Sequence, residues 1–349
     1  MSMNSEVRVG LVGCGNIGAR GHAPAYALIS EARLVAACDL IPDRAVAVAS
    51  TYHCVSYSDY RQLLDRRDID MVDLCVPTSE HARLGIDALQ AGKHLLCEKP
   101  ITSSLSEADT LISIARESGL KTMIGHIRRF DPRYIEIKNA LINGDLGKLV
   151  YMRRAERQWL PFPIEAWYWH PNQGGGVIVD IGVHIADLMR WYYAQEPTSV
   201  FAIGRRVRPV ARQAGSYDHA LITYSFPQGA VGLAEASWAY PPEFGSSLYA
   251  SLDLVGTQGK AQYSDQDSHP MLVFKSEGGA EYPPYFQFMS TIEQAFEAEI
   301  RHFVQCILTG GTPAVSLEDA RAALEMVLAA KHSADTGQPV AFPFKESSS

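Results

Sequence analysis

The run from residue 7 to residue 39 constrains the fold more than any other part of this chain. A short β-branched segment, Val7-Arg8-Val9-Gly10-Leu11-Val12, leads straight into Gly13-Cys14-Gly15-Asn16-Ile17-Gly18, and a helical pattern follows over residues 19–29. A second apolar run, Arg33 to Cys38, ends on Asp39. Strand, glycine turn, helix and strand in that order make a βαβ unit, whose two strands must run parallel. The glycines let backbone approach a pyrophosphate, and the free N–H groups and partial positive charge of the helix start hold it. Gly13, Gly15 and Gly18, with Asn16 and Ile17 between them, are the expected dinucleotide contacts.

Asp39 stands about 20 residues beyond the last glycine, where a carboxylate accepts hydrogen bonds from the adenosine ribose hydroxyls. Its charge would repel a 2′-phosphate, which favours NAD. Arg44 keeps NADP open, because an arginine just beyond the strand can hold that phosphate instead.

The alternation continues. Met71 to Val76 reads as an apolar strand ending at Pro77-Thr78, residues 79–91 as a helix, residues 93–98 as a strand stopped by Pro100, then a helix capped near Ser106 and a strand at residues 121–124. Near-continuous apolar strands alternating with helices predict an α/β Rossmann domain, a parallel sheet covered on both faces, over residues 1–125. Ligands of such sheets bind outside the carboxyl ends of the strands, so Lys99 at a strand tip is placed to meet one. A solvated lysine paired with Glu98 is the plainer alternative.

Residues 126–349 change character. A helix is expected at residues 132–143, and long alternating runs follow at 149–159, 199–207, 219–226, 230–238 and 247–255. Alternation of that length predicts an α+β domain with a large, mainly antiparallel open sheet, one face covered by helices. An available sheet face suits pairing with a copy of itself, so a homo-oligomer through this sheet is expected. A helix over residues 317–333 and a frayed polar end at 345–349 close the chain.

Between the first alternating runs lies Trp167-Tyr168-Trp169-His170-Pro171-Asn172-Gln173-Gly174-Gly175-Gly176, and from Val177 the apolar spacing is helical. Asp180 and His184, four apart, share one helix face, with Asp187 three further on. They form either a satisfied core pair or an acid–base site. In the second case His184 takes the proton of a hydroxyl as hydride leaves, since an imidazole titrates near neutral pH. Polar and aromatic groups near a sugar would bond its hydroxyls and stack on its apolar face, which makes His126, Arg129, Arg157 and Trp159 candidate substrate contacts alongside Asp180 and His184.

Composition excludes several classes. A net charge of −8 offers no clustered cations for phosphates, so nucleic acid is not an expected partner. No apolar stretch reaches membrane-spanning length, and the polar start, Met1 to Glu6, lacks the pattern of a secretory signal, so a cytoplasmic protein away from membranes is expected. The six cysteines, Cys14, Cys38, Cys54, Cys75, Cys97 and Cys306, show no metal-binding spacing and read as reduced, mostly buried thiols, with no metal.

Taken together, Gly13 to Gly18, the turn Val76-Pro77-Thr78-Ser79-Glu80-His81, Glu98-Lys99-Pro100, Arg129-Phe130 with Pro132, and Gly174-Gly175-Gly176 followed by Asp180 and His184 resemble the Gfo/Idh/MocA oxidoreductases over essentially the whole chain. The resemblance implies an NAD(P)-dependent dehydrogenase for a secondary hydroxyl of a sugar, sugar derivative or cyclitol. It implies that Lys99 meets the reacting hydroxyl and that Asp180 and His184 complete the site. It also implies that Pro77, Thr78, His81, Glu98 and Lys99 lie along the cofactor and Trp169 near the nicotinamide. Gly125-His126-Ile127-Arg128 departs from the family's usual Gly-Tyr-Asn and bears on which sugar is used. Glycoside hydrolases similar to this family, which oxidise and reduce a ring carbon transiently on tightly held NAD, are an alternative, as is a non-catalytic cofactor sensor.

Overall fold

The computed structural model describes residues 6–171, 173–244, 249–265, 271–275, 279–281 and 292–346. The chain forms two compact units, residues 1–131 with 290–321 and residues 132–289 with 322–349. They are not the two consecutive stretches, 1–125 and 126–349, expected from sequence. The helix Ile292–Thr309 packs in the first unit, where Phe296 lies against Gly21 so closely that a Cβ there would sit 2.8 Å from the ring.

In the first unit the strands β1 (Val7–Val12), β2 (Ala32–Cys38), β3 (Val55–Tyr57), β4 (Met71–Leu74), β5 (His94–Glu98) and β6 (Thr122–Gly125) form one sheet in the order β3-β2-β1-β4-β5-β6. Every pairing is parallel. All carboxyl ends therefore lie on one edge, and the chain reverses beside β1, between β2 and β4, as in a dinucleotide-binding fold. The strands are apolar on both faces because helices cover both; Val9, Leu11, Leu95, Leu96 and Cys97 are fully buried.

Two local expectations change. The helix expected at 19–29 is a π-helical turn, Gly18–His22, followed by one α-turn, Ala23–Tyr26, and the wide turn is where His22 is buried. The helix Leu105–Ser118 is capped by Ser104, not by Ser106. Ser104 Oγ accepts the Glu107 N–H at 3.3 Å, and the Glu107 carboxylate accepts the Ser104 N–H at 3.2 Å, a reciprocal capping box.

The second unit holds β7 (Leu149–Arg157), β8 (Ser199–Arg205), β9 (His219–Ser225), β10 (Val231–Ser237), β11 (Tyr249–Gly256), β12 (Gly259–Ser264), β13 (Met271–Lys275), β14 (Gly279–Glu281) and β15 (Val340–Ala341). Among the described residues they make a nine-stranded sheet, β14-β13-β12-β11-β7-β10-β9-β8-β15, antiparallel except where β10 runs parallel to β7. Of the run expected at 247–255, residues 247–248 lie outside the described residues, as do Asn172, residues 1–5 and 347–349. One face is covered by the helix Gly182–Tyr193, whose Met189 side chain lies on Gly232 of β10, 2.7 Å from where a Cβ would stand. The same face carries Met152, Arg154 and Glu156, all at 0 % exposure. Alternation puts Arg153, Arg157, Phe201, Leu221 and Glu235 on the opposite, open face. No helix among the described residues is long and apolar enough to cross a membrane.

The capping assignment is tested by denaturant unfolding. Ser104→Ala should lower stability by about 1 kcal/mol, whereas Ser106→Ala should leave it unchanged; equal effects would contradict it.

Candidate active site

The glycine turn is a close contact between strand ends. Gly13 N–H donates to the Cys38 carbonyl and Cys75 N–H to the Val12 carbonyl, each at 2.8 Å, which binds the ends of β1, β2 and β4 together. Gly13 has φ +96°, and a Cβ there would lie 2.3 Å from the Cys75 carbonyl oxygen; on Gly18 it would lie 1.9 Å from that of Gly13. Only glycine fits either place. Around Gly15 there is nothing within 4 Å of such a Cβ, so this glycine keeps space clear above the turn.

Asp39 follows β2 and is locked by backbone. Its Oδ2 accepts the Cys14 N–H and its Oδ1 the Ile41 N–H, both at 2.8 Å. The carboxylate is thereby aimed along the edge where a ribose would lie, while Arg44 is exposed one helical turn on. Beyond β4, Thr78 is 3 % exposed, and its Oγ1 has no hydrogen-bond partner among the described residues. A buried hydroxyl left in this state costs free energy that a polar ligand group would recover. The shaped glycine cradle, the clear space at Gly15, the fixed carboxylate and the Thr78 hydroxyl all fit a dinucleotide.

His81, expected beside the cofactor, is instead a clamp inside the protein. It is 1 % exposed, with Nδ1 2.7 Å from the Pro100 carbonyl and Nε2 2.9 Å from the Val76 carbonyl. Burial lowers its pKa, against the pull of the two carbonyls. It ties the turn after β4, with Pro77, to the turn after β5, and so acts through Thr78 and Lys99.

Lys99 stands at the carboxyl tip of β5, half-buried. In the neighbouring Glu98, Oε1 faces His22 Nε2 at 3.2 Å, and Oε2 accepts the Lys99 backbone N–H at 3.0 Å. Burial pushes the Glu98 carboxyl up, but His22 and the charge of Lys99 outweigh it and leave it below the usual carboxylate range. His126 is set at the adjacent tip by the pairing of Glu98 with Gly125, and is 1 % exposed. Arg129 Nη1 bonds to the Ala314 carbonyl at 3.2 Å and to Asp319 at 3.3 Å within the first unit, which braces the chain.

In the second unit the glycine run starts the Asp180 helix by close contact. Gly176 has φ +72°, and a Cβ there would lie 2.4 Å from Ser216 Oγ; Val177 N–H then bonds to the Tyr217 carbonyl at 3.0 Å. The helix Gly176–Asp180 passes through Ile181 at φ −86°, ψ −42° into Gly182–Tyr193. Because Ile181 keeps right-handed helical dihedrals, Asp180 and His184 remain on one side, and with Asp187 they are buried at 6 %, 8 % and 0 % exposure.

Three aromatic or cationic candidates have partners inside the second unit. Trp169 is fully buried, its Nε1 donating to the Phe162 carbonyl at 3.2 Å and its ring edge-on to Trp238 at 5.3 Å. Arg157 lies on the open sheet face in a bidentate pair with Glu235 at 2.8 and 2.7 Å, away from the His184 helix. Trp159 sits under the Arg208 guanidinium at 5.8 Å. Sequence reasoning missed His22 and Asp73, which the glycine turn and β4 bring to 2.7 Å inside the first unit. The available signal was a carboxylate in the middle of an apolar strand, which needs a buried cation or donor.

A parallel sheet with a dinucleotide cradle at its carboxyl edge, a lysine at the β5 tip, and a second unit carrying an Asp–His pair on a buried helix define an NAD-dependent oxidoreductase. Residues 7–126 match the oxidoreductase family described by its NAD-binding Rossmann fold, and residues 138–342 match that family's C-terminal alpha/beta domain. The chain belongs to this Gfo/Idh/MocA family. It is 31% identical over 345 residues to scyllo-inositol 2-dehydrogenase (NAD(+)) of Bacillus subtilis, covering 98% of each chain. It is 28% identical to myo-inositol 2-dehydrogenase of Thermotoga maritima, over 96% of this chain and 98% of that one. A crystal structure of myo-inositol 2-dehydrogenase from Lactobacillus plantarum superposes with a TM-score of 0.82 at 25% identity, covering 96% of this chain and 99% of that one.

Gly15→Ala tests the cradle. The added methyl meets nothing, so the variant should fold as the parent does, yet lose about ten-fold or more in NADH affinity by fluorescence titration, because the backbone is held off the pyrophosphate. Unchanged affinity would place the dinucleotide elsewhere.

Proposed function

We propose that the protein oxidises a secondary hydroxyl of a cyclitol, sugar or sugar derivative with NAD, or reduces the matching ketone. The observation that carries this reading is Lys99, delivered by β5 to the edge where the glycine turn keeps Gly15 clear. The inositol dehydrogenases to which the chain is similar support the substrate class. Bound NAD supplies the hydride acceptor.

The remaining work belongs to side chains. The Lys99 ammonium donates to the reacting oxygen and stabilises the negative charge that grows on it as its proton leaves. His184 receives that proton, and Asp180, one helical turn away, aligns the imidazole or accepts a neighbouring hydroxyl. His126, at the tip beside Lys99, is the candidate substrate contact that this reading uses. Asp39 favours the unphosphorylated adenosine ribose, hence NAD.

The open face of the second unit's sheet suits a homodimer or homotetramer. Phe201, Ile203 and Leu221 are 39 %, 42 % and 50 % exposed there, beside the Arg157–Glu235 pair. An apolar patch bordered by both signs of charge is self-complementary about a two-fold axis.

Mixing the protein with NAD and a panel of inositols, other polyols and pyranoses, while following reduced nicotinamide by absorbance, tests the reaction. Net reduction is expected; a protein that cleaves glycosides with no net reduction would contradict it. Lys99→Ala should lower turnover by about 100- to 1,000-fold with NADH still bound, and His184→Ala by about 100-fold with an altered acid limb of the pH profile. Unchanged turnover would remove either residue from the chemistry. For the assembly, Leu221→Glu should yield a monomer by light scattering, and an unchanged mass would move the interface elsewhere.

A further inference from the structure

Beneath the β5 tip the first unit buries a polar cluster that the proposed reaction does not use. His22 is fully buried, with Nδ1 2.7 Å from Asp73 Oδ2 on β4 and Nε2 3.2 Å from Glu98 Oε1 on β5. Tyr26 OH donates to Asp73 Oδ2 at 2.8 Å, and Cys75 Sγ stands 3.8 Å from Asp73 Oδ1. From the helix Ile292–Thr309 comes Glu299, also fully buried, with a carboxylate oxygen within 4.8 Å of the ring and of Glu98, while the Phe296 ring lies 5.0 Å from His22.

Ionised carboxylates only accept hydrogen bonds. With an ionised carboxylate on each ring nitrogen, both bonds form only when both nitrogens donate, which is the imidazolium form. Burial works against that charge, but Asp73 carries the His22 pKa well above its ordinary value. A cation so held can anchor both strands. Glu98 is the anchored end that matters, since its second oxygen accepts the Lys99 N–H.

We propose that His22 is a positioning residue for Lys99: clamped between Asp73 and Glu98, it keeps the Glu98 carboxylate turned onto the Lys99 backbone N–H and so fixes where the lysine side chain leaves β5. The inference rests on the reading that Lys99 meets the reacting oxygen. A displacement of the amine by about 1 Å can cost 100-fold in rate, so a ring that never touches substrate can govern turnover.

The test is His22→Leu with Asp73→Val, which removes the ring and its partner carboxylate together, made in the parent and in Lys99→Ala, with NAD and the fastest polyol of the panel. In the parent, kcat should fall about 10- to 100-fold while the melting transition and NADH affinity persist. In the Lys99→Ala protein the residual rate should fall no further, because nothing remains to be positioned. A kcat within two-fold of the parent, or an equal loss with and without Lys99, would overturn the proposal. Should the double variant not fold, 15N spectra of the unaltered protein decide: two protonated ring nitrogens on His22 above pH 7 support the clamp, and one bare nitrogen overturns it. If Lys99→Ala alone keeps full turnover, the reading of Lys99 fails; if it is inactive while the His22 variant is fully active, only the clamp fails.

Discussion

The first unit depends on the ends of β1 and β4 meeting without side chains between them. Gly13 lies so close to the Cys75 carbonyl that no other residue could stand there, and Gly18 closes on Gly13 in the same way. That contact brings four features to one edge: the clear space at Gly15, the carboxylate of Asp39 held by two backbone N–H groups, the buried Thr78 hydroxyl and the Lys99 tip. Each is an ordinary residue elsewhere. Parallel pairing in register makes them neighbours.

The second unit uses glycine for the same purpose with a different result. Gly176 lets a helix start against Ser216 and Tyr217, and the continuation lies on the sheet with Met189 against Gly232. The Asp180 and His184 side chains are therefore presented by a rigid, buried helix. Rigid presentation suits acid–base chemistry, where the proton acceptor must stay within hydrogen-bond reach of its donor. The opposite sheet face, with its apolar and charged residues interleaved, is left for other contacts.

How much of this is legible in the sequence differs by kind of residue. The βαβ order, the glycine motif, Asp39 and the strand-end lysine are legible because each is specified by local spacing. Alternation makes the five strands β7 to β11 of the antiparallel sheet legible, whereas β12, β13, β14 and β15 are not read from the sequence. Direction is not legible either. Arg129, Arg157 and Trp169 have the right chemistry for ligands, yet an Ala314 carbonyl, Glu235 and Phe162 take them, and the first two of those partners are remote in sequence. His81 is correctly placed on its turn but points inward to two carbonyls. The His22–Asp73–Glu98 cluster joins three segments that only the fold assembles. The one local hint is Asp73 inside an apolar strand.

A crystal structure with NADH bound tests the central claim most directly, that the carboxyl edge of the parallel sheet is built to hold this cofactor against Lys99. The account predicts the pyrophosphate over Gly15, the adenosine ribose hydroxyls on the Asp39 carboxylate, and the nicotinamide end at the β5 tip. A dinucleotide whose phosphates lie away from the glycine turn, or whose nicotinamide end lies away from Lys99, would contradict it.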